Sequence, residues 1–247
     1  MRYFWLGVFS LFCLPWAQAA EVSVLSAGAV EPGVHAFAAL VKRELGHDLA
    51  IRFNTAPQIA KRLADGEVYD ILISPPAVIE QAVKEGKVLG EGRSAIGRVG
   101  AGIAVRRSAE APDVSSVESL KKALLEVESL VYNTASTGLY LDKLFASMGI
   151  AEQLKPKTTR YPNGAAVLEH VIAGQGREIG FGALTEIRLY ASQGLKLVGP
   201  LPAEVQNYTH YDAALMRGGR APDAAAAVLQ LLATPQAKAA FSAAGID

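Results

Sequence analysis

The residues of this chain best placed to meet a ligand are mostly uncharged. Asn133, Thr134, Ser136 and Thr137 crowd into five positions and are followed by Gly138. The run Leu130 to Tyr132 before them is apolar. Leu141, Leu144, Phe145 and Met148 after them recur at i, i+3, i+4 and i+7 up to Gly149. That pattern reads as a buried strand, a polar turn and an amphipathic helix. The first turn of such a helix presents unpaired N–H groups and the positive end of its dipole, so it can hold an anion without Lys or Arg. The plainer reading is that Ser136 or Thr137 is simply an N-cap.

The same turn chemistry recurs. Ser26-Ala27-Gly28, Asn54-Thr55-Ala56 and Ser74-Pro75 follow apolar strand-like runs in the first part of the chain. Asn133 to Gly138, Asn163-Gly164 and Gly182 to Thr185 do so in the second. Each has a structural excuse, since turns and helix starts favour these residues. Their repetition points to a cleft at the carboxyl ends of parallel strands, where open α/β sheets bind ligands. The candidate contacts are Ser26, Ala27, Gly28, Asn54, Thr55, Ser74, Asn133, Ser136, Thr137, Gly138, Asn163, Gly164 and Thr185. Arg98 and Arg160 are candidate carboxylate contacts, because a guanidinium pairs with carboxylates in bidentate fashion. Tyr208, Thr209 and Tyr211 stand near a return between the two parts, to line a hinge or merely to pack.

Catalytic constellations are thinner. His35, His47, His170 and His210 lie far apart in sequence, without metal-ligand spacing. There is no Gly-x-Ser-x-Gly elbow, phosphate loop or zinc motif. Neither a metal nor a cofactor is expected. Glu186 and His210 are the candidate bases. Glu186 follows a strand end, where it would face the cleft as a base or a ligand acceptor, and reads equally as a solvated first-turn carboxylate complementing the helix dipole.

Strands and helices alternate closely enough to position these turns. Val22–Leu25, Leu49–Phe53 and Asp70–Ser74 read as strands, each followed by a helix, with a capping box at Thr55-Ala56-Pro57-Gln58. This order argues for an α/β fold with parallel sheet covered on both faces. The small-residue run from Ala95 to Val105 reads as a strand leaving one lobe for another, with a hairpin as the alternative. Ser115-Ser116-Val117-Glu118 reads as a second capping box. Further strands are expected at 158–161, 178–182, 195–198 and 211–216. Alanine-rich helices near 222–233 and 235–243 are expected to pack back on the first lobe. The division expected is residues 20–98 plus 205–247 for a discontinuous first lobe, and 99–204 for the second.

Composition sets the class. The chain has 247 residues, 51% of them hydrophobic, with 24 basic and 24 acidic residues. The even charge argues against nucleic acid or an anionic membrane surface as partner. Arg2, an apolar run to Leu14, and Ala17-Gln18-Ala19 read as a secretory signal peptide over residues 1–19. Its removal would take away Cys13, the lone cysteine, leaving an exported chain that relies on its core rather than disulfides.

The chain resembles the periplasmic solute-binding proteins of ABC importers, most nearly the molybdate-binding-like branch. The resemblance spans the mature chain. It rests on Val24-Leu25-Ser26-Ala27-Gly28, Ala64-Asp65-Gly66-Glu67, Asp70-Ile71-Leu72-Ile73, Ala95-Ile96-Gly97 and Tyr132 to Tyr140. It rests also on Glu178-Ile179-Gly180-Phe181, Gly199-Pro200-Leu201-Pro202 and Thr234-Pro235-Gln236-Ala237. It implies two doubly wound lobes of the type II periplasmic binding fold, closing on a small oxyanion or organic acid. It also implies a monomer that docks on an inner-membrane ABC permease. Ser26, Thr55 and Ser136 to Gly138 match the family's binding positions. The chain departs from the molybdate pattern at Ala29 or Val30, at Thr55-Ala56, and at Gly182 and Ala183, which argues against molybdate. The same sub-branch is similar to a periplasmic aconitate isomerase on this fold, which implies an alternative: isomerisation of a small polycarboxylic acid.

Overall fold

The computed structural model describes residues 19–247, so the expected signal peptide lies almost wholly outside the described residues. The first lobe opens with β1 (Glu21–Ala27), a tight 3-10 turn at Gly28–Val30, and α1 (Glu31–Leu45). Gly46 stops α1 at φ 72°, a left-handed conformation that glycine adopts without a Cβ penalty. β2 (Asp48–Asn54), α2 (Ala56–Ala64), β3 (Ile71–Ser74) and α3 (Pro76–Lys84) continue the alternation. Pro57 and Pro76 sit in the first turns of their helices, where the missing N–H is no loss.

β4 (Ser94–Arg106) is the thirteen-residue crossing strand. The second lobe follows with α4 (Val117–Glu126), β5 (Ser129–Asn133), α5 (Ser136–Ser147), α6 (Ala151–Leu154), β6 (Thr158–Tyr161) and α7 (Gly164–Ala173). It ends with β7 (Glu178–Ala183), α8 (Leu184–Leu189) and β8 (Leu195–Pro200). β9 (Tyr208–Leu215) returns the chain, and α9 (Pro222–Leu232) and α10 (Pro235–Ala243) close it. Phe241 on α10 packs on Phe37 of α1, with ring centroids 5.9 Å apart, so the tail joins the first lobe.

The strands lie in the order β2-β1-β3-β9-β4-β7-β5-β6, with β8 paired to β4. β1 runs parallel to β2 and β3, and β5 runs parallel to β6 and β7. β9 and β4 are antiparallel to each other; β9 is antiparallel to β3, and β4 to β7 and β8. The sheet is therefore mixed rather than wholly parallel, because two strands must carry the chain out of one lobe and back. Their crossing is tied by Gln206, whose amide accepts from Ala101 N–H and donates to Ala101 C=O, both at 3.1 Å.

The apolar core changes over along β4. Val99 belongs to a cluster with Leu25, Phe37, Leu72, Ala213 and Phe241, whereas Ala101 and Ile103 belong to one with Leu130, Phe145 and Phe181. Among the described residues, no helix is long and apolar enough to cross a membrane.

Three local expectations shift. The second capping box is centred on Ser116 and Ser119, not Ser115 and Glu118, because Ser116 Oγ accepts Ser119 N–H at 3.1 Å. α5 begins at Ser136, so Ser136 and Thr137 lie inside the helix and not at its N-cap. β8 runs two residues past the expected end at Val198, to include Gly199 and Pro200.

Candidate ligand-binding cleft

The carboxyl ends of β1, β2, β5 and β7 face one another across a narrow cleft. From the first lobe it is lined by Ala27, Gly28, Ala29, Asn54, Thr55, Ala56, Pro75 and Tyr211. The second lobe contributes Asn133, Ala135, Ser136, Thr137, Ala183 and Glu186. Neither Lys nor Arg is among these residues. The free volume is only about 40 Å³, because the lobes are closed on each other. Thr185 Oγ1 donates to Ala29 C=O at 2.6 Å, and Thr55 Oγ1 reaches Pro162 C=O at a longer 3.4 Å. Both bonds join one lobe to the other.

The turn after β5 is organised by Asn133. Its Oδ1 accepts Ala135 N–H at 3.0 Å and Gly138 N–H at 3.2 Å. Neither Ser136 nor Thr137 caps α5; the N-cap position is Ala135, which carries no side-chain cap. Among the described residues, the Ser136 and Thr137 hydroxyls make no side-chain hydrogen bond, and both line the cleft. Gly138 is buried beneath the turn, where an added Cβ would collide with Asn133 C=O. Its place is thus a close approach of backbone to backbone rather than part of the lining.

Several expected contacts stand back from the cleft. Ser26 is fully buried with its hydroxyl turned to Ala27 C=O at 3.2 Å, and Ser74 is fully buried with no partner for its Oγ among the described residues. Asn163 is occupied as the N-cap of α7, accepting Ala166 N–H at 2.8 Å. Gly164 lies just behind the lining, against the Glu186 carboxyl. Thr185 spends its hydroxyl on Ala29. Arg160 props the wall from behind: it donates to Asn133 C=O at 3.0 Å and pairs with Asp142 at 2.9 Å, over the Tyr132 ring. Arg98 is exposed and stacks on Tyr208 at 4.3 Å. His210 is exposed on β9 and not among the lining residues, leaving Glu186 as the one candidate base in the cleft.

Glu186 sits in the first turn of α8, as expected of a dipole-complementing carboxylate, but it is only partly accessible. Its accessible surface is limited and belongs to the cleft wall. Burial pushes its pKa up to about 7; the N–H of Ala183 pulls the other way, and the like charge of Glu31 adds to the rise. Tyr211 faces the same space, its phenol pushed up by burial and by the nearness of Glu186. The sequence signal for this arrangement was weak, because the space Glu186 occupies is left by Gly28 and Gly164, far from it in the chain.

A larger hollow of about 740 Å³ lies elsewhere, at the amino ends of β5 and β7, among Arg106, Glu110, Lys122, Glu126 and Arg177. It lies at the other end of the parallel strands from the cleft and shares no residue with it. Among the described residues no group of three or more His, Cys, Asp or Glu side chains is arranged to hold a metal.

Known proteins resemble this chain in sequence or in structure. An aconitate isomerase from Pseudomonas sp. is 29% identical over 250 residues, covering 98% of this chain and 94% of that protein. The periplasmic molybdate-binding protein of Azotobacter vinelandii superposes with a TM-score of 0.76 at 16% identity, covering 92% of this chain and 98% of that one. The sulfate-binding protein of Mycobacterium tuberculosis gives 0.75 at 16% identity, covering 92% and 86%. At such identities these structures establish the fold, that of the type II periplasmic binding proteins. The family model for bacterial extracellular solute-binding proteins matches residues 22–247, and the chain belongs to that family.

Proposed function

We propose that this protein is a periplasmic receptor that closes its two lobes on a small oxyanion or organic acid and presents it to an ABC permease. The observation that carries this reading is the convergence, in one closed cleft, of turns from both lobes that offer hydroxyl, amide and backbone N–H groups without any Lys or Arg. Such fixed dipoles hold an anion while leaving it free to depart when the lobes part. Ser136, Thr137, Thr55, Asn54 and the backbone at Gly28 are the first candidates for contact. The lobe boundaries near residues 98 and 205 belong to the same proposal, with β4 and β9 as the hinge.

A thermal-shift screen against molybdate, tungstate, sulfate, phosphate, citrate and the aconitate isomers tests it. A ligand at about a thousand times its Kd stabilises the fold by roughly 4 kcal/mol. If replacing Ser136 and Thr137 together by alanine leaves the affinity for the best ligand unchanged, the contacts are misplaced.

A second reading is favoured by Glu186 and by the Pseudomonas aconitate isomerase. A carboxyl titrating near neutrality can take a proton from one carbon of an allylic acid and return a proton two carbons away as the double bond moves. The proton count is then unchanged. Incubating purified protein with either aconitate isomer and following the other by NMR tests this. Turnover that survives Glu186→Gln in full would exclude Glu186 as the base.

A further inference from the structure

The cleft offers donors to an anion, yet one of its walls carries an acid. The Glu186 carboxyl rests against Gly164, the first residue of α7, and against Gly28, the start of the turn that leads into α1. A Cβ at Gly28 would fall 3.1 Å from Glu186 Oε1, and one at Gly164 would overlap the carboxyl outright. The acid thus stands where helix starts from opposite lobes approach each other, the place an anion would be drawn to.

Among the described residues, no Lys or Arg acts on it. The groups acting on it are Ala183 N–H and the Glu31 carboxylate on α1, and it in turn acts on the phenols of Tyr211 on β9 and Tyr190 beyond α8. Arg188 on its own helix lies beside Gly245. In its ionised form the carboxyl can only accept hydrogen bonds. An oxyanion stripped of hydrogen is also acceptor-only, so the two would meet with like charge and no shared proton. A hydroxyl or a protonated ligand oxygen would instead donate to Glu186 in a charge-assisted bond.

We propose that Glu186 is the specificity-determining residue of the cleft, admitting anions that bring a hydroxyl or protonated oxygen against its carboxyl and turning away fully ionised sulfate and molybdate. This rests on the reading of the cleft as the ligand site. In terms of chemistry, it names hydroxy acids and hydrogen-bearing oxyanions as the ligand class.

The test is calorimetric titration of the whole protein and of Glu186→Gln with sulfate, molybdate, phosphate, and two matched pairs, malate with succinate and citrate with tricarballylate. At pH 8.5 the unaltered protein is expected to bind the hydroxylated member of a pair, at least tenfold tighter than its partner, or phosphate over sulfate by the same margin. Glu186→Gln should lose that margin and gain sulfate or molybdate binding. Should the variant fail to fold, the unaltered protein at pH 5.5, with Glu186 protonated, must show the same relaxation. Where the variant folds, it should show no such pH dependence, which separates Glu186 from the histidines. Sulfate or molybdate bound equally by both proteins at pH 8.5 overturns the inference and leaves the binding reading intact. Silence from both proteins toward every probe overturns both.

Discussion

Two acids, Asp70 in the first lobe and Glu186 on the second lobe's wall of the cleft, make different uses of burial. Asp70 lies just before β3, at the amino end, with 2% of its surface exposed. It accepts Ser23 N–H at 2.8 Å, Ser23 O–H at 2.5 Å and Ala221 N–H at 2.7 Å, tying β1 and the entry to α9 to its own strand. Burial alone would raise its pKa, but these bonds outweigh it and hold the carboxyl below its usual range. Glu186, at the carboxyl ends beside the cleft, receives one backbone N–H and is pushed up to about 7. A carboxylate that finishes its hydrogen bonds inside the protein is an anchor. One left unfinished beside a cavity is available to whatever enters, at some expense in stability.

The largest expected effect is at the anchor. Asp70→Asn replaces an acceptor of several bonds with an amide that clashes donor against donor, and should cost about 2–4 kcal/mol in urea unfolding at pH 7. Because the folded pKa of Asp70 is depressed, its contribution is present above the ordinary aspartate range and is lost as pH falls through the folded value. That acid limb should shrink in the variant. A loss below about 0.5 kcal/mol would erase the contrast with Glu186, since surface substitutions reach that size.

Glu186→Gln should act with the opposite sign. A carboxyl raised from 4.5 to about 7 favours the fold while protonated, and that advantage is lost as pH climbs through the folded value. The variant should therefore be more stable than the parent by roughly 1–3 kcal/mol at pH 8, and about equal to it at pH 4. Equal melting temperatures at both values would mean that the carboxyl is not desolvated.

Asn133→Ala sharpens the comparison from the cleft's other wall, where an amide does for α5 what Asp70 does for β1. Loss of both Asn133 bonds should cost about 1–2 kcal/mol and weaken ligand binding as the turn loosens. The smallest effect is expected at the latches. Thr185→Val should cost about 1 kcal/mol and Thr55→Ala less, given its longer bond. Small-angle scattering of the ligand-free protein should show a larger radius of gyration for Thr185→Val. An unchanged radius would mean that closure does not depend on that bond.

Much of the architecture was readable in local pattern. The apolar stripe of α1, its stop at Gly46, the prolines opening α2 and α3, and the long small-residue strand β4 each declare themselves within a dozen residues. So did the polar turns at Asn54-Thr55 and Asn133 to Thr137, which the structure places in one cleft. Which side chains face the cleft was not readable there: Ser26, Ser74 and Gly138 are buried behind the lining, and Arg160 is held by Asp142 and Asn133. A hydroxyl or guanidinium has the same letter whether it faces a cavity or a neighbouring carbonyl, and only the packing distinguishes them.

What the sequence determined alone is the alternation of elements and the neutral, donor-rich character of the turns, because both depend on residue type and short spacing. What tertiary structure decided is which of those turns confront each other and what the field is between them. Glu186 takes its chemistry from Gly28, Gly164 and Glu31, positions drawn from both lobes. Its proton affinity comes from lost water and a nearby like charge, and neither exists until the two lobes meet.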